Sequence, residues 1–441
     1  MKIRDLAAPM GSNEPLETPV GSRPTMGGYL VGTYLFSVAA FGFSGSPVLL
    51  VIPQIVGAAL VGYALFDLLG RFRIAIPAEI GLYGLLGLWA AFTHFISPRA
   101  GEGITPGLGT LLKVVIATLA CAQLVRTDGD LFTALKMFVF SVLFVYAQNV
   151  GEIRYLRMAG QVSEDERFAG TLLNANSAAI FALTIIWAAL LLFLRSKKPV
   201  STAAFLSAPI VVSLIMIYYS GSKKGLIGLA LFVLFFSRLL YQRHAKTLFR
   251  RGLVVLVSSA MIVGAGYFIY TSPFFFRMGS LISGLSNVSD ANRWELAREA
   301  LQVWLMNGKT LLIGVGFDNF WTHSVLQTYA HSTPLELLAS TGIVGLSLFL
   351  GYLGLLARKF LRLYQWTPDA GSKSIYFAIN IMFLIFAFFM VAAVVYDAKE
   401  MMPIFGSLAG WGHVQLQQLG RMRPLSPGEE GPAFGGRDEG M

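Results

Sequence analysis

The chain has 441 residues, 55% of them apolar and 13% charged, with a mean hydropathy of +0.64. That balance excludes an ordinary soluble enzyme and points to a polytopic membrane protein. The formal net charge of +10 then has to come from membrane topology or from an anionic partner, and nothing in its pattern calls for nucleic acid.

A bilayer core about 30 Å thick takes about 20 apolar residues of helix per crossing. Runs of that kind lie at approximately 28–44, 48–69, 75–97, 107–125, 131–149, 175–194, 202–219, 225–242, 252–270, 334–356, 374–397 and 403–418. The first and last are short or broken by Gly, Ser and His. The expected fold is therefore all-α, a transmembrane helix bundle of about 12 spans over residues 28–419. Residues 1–27 read as a flexible tail, too long and too mixed in charge for a cleaved leader. Residues 420–441, rich in Gly and Pro, read as a second tail. The single cysteine, Cys121, falls within the fourth run, where it packs and forms no internal disulfide.

With an even number of spans both tails share a side. Placing them in the cytoplasm puts 21 Lys and Arg inside and 11 outside. Lys113 and Lys136 fall within spans. Nine of the outer cations gather in three segments, 150–174, 220–225 and 271–333, and the first and last of these are the long linkers. Long loops in a compact membrane protein usually carry function.

The segment RYLRMAGQVSEDERFAG holds Arg154, Arg157 and Arg167 ahead of the sixth span. Guanidinium groups pair with phosphate oxygens, although Glu164, Asp165 and Glu166 offer neutralisation on a solvated surface. In YYSGSKKGLIGLALFVLFF, Lys223 and Lys224 open the eighth span, opposing both the helix dipole and the charge bias. An anion nearby resolves that conflict; snorkelling to lipid headgroups is the alternative.

The long loop 271–333 contains SDANRWELAREALQVWLMNG, with Trp294, Ala297, Leu301, Trp304 and Leu305 at helical spacing. It predicts an amphipathic helix on the membrane or on the bundle. Next comes HSTPLELLASTGIVGLSLFL. Here Thr333, Pro334 and Glu336 predict a capping box with Thr333 as N-cap, which gives Glu336 a structural role. His331 stays outside that cap, beside a helix N-terminus, where an imidazole can take a proton from a hydroxyl. No Walker, Rossmann, zinc or outer carboxylate metal site is visible, so neither metal nor cofactor is expected.

Taken in order, these segments resemble the O-antigen ligase and polymerase superfamily. GTLLNANSAAIF is similar to its Gly-Asn-x-Asn stretch, and SGSKKGLIGLAL to its Ser-Arg-x-Gly core start. LIGVGFDNF with HSTPLELLASTGIVGLSLFL is similar to its Gly-rich loop, histidine and Gly-Ile-x-Gly helix. The resemblance covers about residues 165–355. It implies a bacterial inner-membrane enzyme moving a glycan from an undecaprenyl-diphosphate donor to a sugar hydroxyl at the periplasmic face, inverting and without a metal. The acceptor is lipid A-core or a second lipid-linked glycan. By the same resemblance His331 is the base or orienting group, and Lys223 and Arg293 hold the diphosphate, with Arg167 a looser match. Lysine replaces the family's arginine at 223, which keeps charge but loses paired donors and leaves Lys223 and Lys224 both open for the contact. A transporter or flippase of an anionic lipid-linked substrate is the rival, with Lys113 and Lys136 its intramembrane candidates; a non-catalytic scaffold leaves the outer cations without a purpose.

Overall fold

The computed structural model describes residues 23–42, 46–71, 76–159, 175–244, 259, 262–264, 266, 267, 270, 271, 288–391 and 393–422. The outermost residues of both expected tails and twelve of the nineteen residues of the ninth run, 252–270, lie outside them. Among the described residues the regular elements are all helices. In chain order they are α1 (Met26–Phe41), α2 (Pro47–Arg71), α3 (Ala78–Phe95), α4 (Pro106–Leu124), α5 (Asp128–Ala159), α6 (Ala175–Arg195), α7 (Pro199–Ser220) and α8 (Lys223–His244). Then follow α9 (Val288–Trp304), α10 (Gly308–Ile313), α11 (Thr333–Trp366), α12 (Ala370–Met390) and α13 (Met402–Met422). Seven of them, α2, α4, α5, α6, α7, α11 and α12, are long and apolar enough to cross a membrane.

Apolar side chains all round a helix mean burial within a bundle or exposure to lipid, and the two extremes are both present. α6 is buried along nearly its whole length, the central post against which α5, α7, α8 and α12 pack. α2 lies at the edge, exposing Val51, Ile55, Leu65 and Phe66. Cys121 is fully buried in α4, as a packing residue would be.

Polar groups segregate to the two ends of the bundle. At one end Asp128 is paired with Arg195 and accepts from Trp411 Nε1 at 2.8 Å. Arg126 meets Asp67 at 3.4 Å, and Asp130 accepts from the Thr25 backbone at 2.7 Å. Lys359 of α11 is paired with Glu79 of α3, both nearly buried. Because Arg195 ends α6, the start of α6 lies at the opposite end, together with the starts of α8 and α11. The candidate site is built there.

Candidate functional site

The site begins with a break in a helix. Gly342 interrupts α11 with φ 69° and ψ −170°, a conformation open essentially to glycine alone. The turn before it therefore has carbonyls without helical partners, and the glycine-rich loop after α10 supplies donors. Val315 N–H donates to Ala339 O at 2.9 Å and Gly316 N–H to Ser340 O at 3.0 Å. Trp89 Nε1 donates to Thr341 O at 2.9 Å. Gly314, at φ 69°, passes so close that a Cβ there would lie 2.4 Å from the Ser340 carbonyl carbon. The LIGVGFDNF stretch is thus a plug in the kink, and His94 fastens its far side by facing Phe317 O at 2.9 Å and Gly103 O at 2.8 Å.

From this plug the chain returns to α11 through His331, whose backbone is left-handed at φ 54°. Histidine tolerates that region better than most side chains, at a cost of about 1–2 kcal/mol. Bonds on both sides hold it. Glu336, 5% exposed, accepts from Ala330 N–H at 2.8 Å and from Ser340 Oγ at 2.9 Å. Thr333 donates twice to Ala393 O, from N–H at 3.1 Å and Oγ1 at 2.7 Å, and accepts from Val395 N–H at 2.9 Å. The half-buried imidazole lies on the Tyr329 ring with centroids 4.2 Å apart.

The expected capping box is corrected by these bonds. Ser332, not Thr333, is the N-cap of α11, and it makes no side-chain cap bond. Glu336 reaches past the cap to the residue before His331, and Thr333 ties α11 to the loop after α12. Sequence spacing alone favours a local explanation; the partners here are tertiary. Glu336→Ala is expected to leave the Ala330 N–H unsatisfied, costing about 1–3 kcal/mol. Thermal unfolding in detergent measures that cost, and activity should fall with it as His331 loses its support.

The cations converge from two helices. Ser222 caps α8, accepting from Gly225 N–H at 3.2 Å while donating to Asn176 Oδ1 of α6 at 2.8 Å. α8 and α6 approach closely here, since a Cβ on Gly225 would lie 2.6 Å from that of Ala179. Lys223 and Lys224 are the first two residues of α8, and Arg293 stands on α9; all three are half-buried. Burial lowers the His331 pKa from its ordinary 6.5 to about 4, helped by the positive charges of Arg293 and then Lys224. At neutral pH the imidazole is therefore uncharged, an acceptor set among donors.

α9 is amphipathic as expected, but with a different face inward. Leu296 and Ala300 are buried against Phe320, Ala330 and Ala339, whereas Trp294 is 78% exposed and Leu301 and Leu305 also stand out. The expected stripe is thus divided: Trp294 and Leu301 face outward, Ala297 and Trp304 are half-buried with Trp304 Nε1 donating to Leu311 O at 3.0 Å, and α9 docks through Leu296 and Ala300. Arg154 is exposed near the end of α5 and is not among the charges acting on His331. Arg157 lies in the same helix with its side chain outside the described residues, and Arg167 lies outside them altogether. Sequence reasoning missed Asn176 as a partner of Ser222, and Glu336 as the brace of His331. The Asn-x-Asn stretch was the available signal for the former.

The family model of O-antigen ligase matches residues 208–350, a stretch containing Lys223, Lys224, Arg293 and His331. It supports the resemblance of this region to the O-antigen ligase and polymerase superfamily, and excludes from the match Arg154, Arg157 and Arg167. No curated protein matches the chain.

Proposed function

We propose, from the similarity of residues 208–350 to O-antigen ligases, that the chain is an inner-membrane glycan transferase working at the periplasmic face. Its donor is a glycan on undecaprenyl diphosphate and its acceptor a sugar hydroxyl, on lipid A-core or on a second lipid-linked glycan. In this reading the bundle crosses the membrane twelve times with both termini cytoplasmic. What supports it is that this matched stretch carries Lys224 at the start of α8, Arg293 on α9 and His331 before α11, with the charges of both cations acting on the half-buried imidazole.

In the proposed step the acceptor oxygen forms a bond to the anomeric carbon as the bond from that carbon to the diphosphate breaks, with inversion. The lipid diphosphate departs with the bonding electron pair, and the hydroxyl proton passes to the unprotonated nitrogen of His331. Charge accumulates on the leaving diphosphate, so Lys224 and Arg293 stabilise the transition state more than the ground state. Lys223 shares that positive end of α8, and Arg154, Arg157 and Arg167 are further candidates for binding the diphosphate or the rest of the substrate. A pKa of about 4 makes His331 a weak base in the free protein. The arriving diphosphate neutralises both cations and raises the proton affinity of the imidazole, so that the base strengthens when the donor is bound.

Purified full-length protein in liposomes, given lipid-linked oligosaccharide, an acceptor and EDTA, is expected to release undecaprenyl diphosphate with formation of the new glycoside. Loss of activity in EDTA, restored by a divalent ion, overturns the metal-independent step. Passage of the donor across the bilayer without transfer favours a flippase. Offering lipid A-core and a second lipid-linked glycan separately distinguishes ligase from polymerase.

A further inference from the structure

At the same end of the bundle, a cavity of about 490 Å³ opens between α1, α2 and α4. Its volume is that of a small-molecule site, and its walls are mostly apolar, with Tyr34, Leu50, Pro53 and Ala117 among them. Two amines line it, Lys113 of α4 and Lys399 of the loop after α12, and no carboxylate does among the described residues. Lys113 is exposed within a helix long and apolar enough to cross a membrane. A charged side chain in such a place is costly and ordinarily has a partner or a function. Lys399 donates to Gly42 O at 2.5 Å and has the acids Glu400 and Asp397 nearby, while the charge of Lys113 opposes its own. Two like charges sharing one apolar recess are stabilised by an anion between them, and the apolar walls select an anion that carries hydrocarbon. Because α2 is apolar and exposed along most of its length, a bilayer around it would let such a ligand reach the cavity sideways.

We propose that this cavity is a binding site for an anionic phospholipid, its phosphate between Lys113 and Lys399 and its chains along α1 and α2. The site is separate from the His331 cluster and stands whether or not the chain transfers glycans. It is joined to that cluster by the loop 391–401, which carries Lys399 and whose Ala393 and Val395 bond Thr333.

The test is native mass spectrometry of the full-length protein in neutral detergent with added phosphatidylglycerol or phosphatidylcholine. The expected result is at least tenfold more phosphatidylglycerol retained, a tenfold loss in the Lys113→Gln/Lys399→Gln variant, and no displacement by inorganic phosphate. Ala58→Phe, which fills the cavity and keeps both amines, is expected to lose the lipid equally. Lys136→Gln, at a different cavity, is expected to keep it. Equal retention of the two lipids overturns the proposal, as does displacement by inorganic phosphate. Should the double variant fail to fold, Ala58→Phe decides, and unchanged retention in it overturns the site.

Discussion

Replacing His331 with glycine is expected to lower glycan transfer by about 10²–10⁴-fold, the usual contribution of a positioned base, while leaving the fold intact. The two effects separate because His331 occupies a left-handed backbone position, φ 54°, that glycine adopts without strain. The bonds fixing the segment come from Ala330, Thr333 and Glu336, none of which the substitution removes. Thermal unfolding should therefore be unchanged or slightly higher as activity disappears. The pH profile gives an independent reading. The base works unprotonated, so kcat/KM is expected to fall as pH drops through the free-protein pKa of about 4. Lys224→Gln or Arg293→Gln removes a cation that holds this pKa down, so the acid limb moves to higher pH. Donor binding weakens in the same variants. A glycine variant with wild-type turnover removes His331 from the chemistry; an acid limb that stays in place in both charge variants removes the proposed coupling.

That expectation was partly legible in the sequence, since outer cations on a positive-inside chain are conspicuous and His331 stood beside them. Which lysine's charge acts on the imidazole was not. Adjacent helical residues point about 100° apart, and only the folded packing of α8 and α9 brings the charges of Arg293 and Lys224 to bear on His331. The helices were legible as apolar runs, but their ends were not: the run at 131–149 became α5, Asp128–Ala159, and that at 334–356 became α11, Thr333–Trp366. Polar turns continue a helix beyond its apolar stretch without any hydrophobic signal. The face of α9 that docks on the bundle was not legible, because Leu296, Ala300 and Val303 satisfy helical spacing as well as the expected stripe does, and only the folded structure shows which of the two packs. Glu336 is the sharpest case. Its spacing from Thr333 has a sufficient local explanation in the capping box, and so gave no hint of the bond to Ala330.

Gly342→Ala is expected to be among the most destabilising single substitutions at this end of the bundle, by about 3–5 kcal/mol. Non-glycine backbone in this region costs about 1–3 kcal/mol, and the added Cβ would lie 2.2 Å from Leu312 O and 2.5 Å from Ile313 N. Both neighbours are backbone, so the residue-312 segment must retreat, releasing the Val315–Ala339 and Gly316–Ser340 bonds at about 0.5–1.5 kcal/mol each. Hydrogen exchange at the Val315 and Gly316 amides should accelerate, and transfer should fall although residue 342 itself makes no contact with substrate in the proposed chemistry. Gly354→Ala provides the control within the same helix. No atom stands within 4 Å of its added Cβ, and alanine is the better helix former by about 1 kcal/mol, so that variant should be neutral or more stable. If both substitutions behaved alike, the break in α11 would be an incidental bend. If only Gly342→Ala frees the loop, the glycine-rich plug is what holds the end of α11, and with it His331, against the cations of α8 and α9.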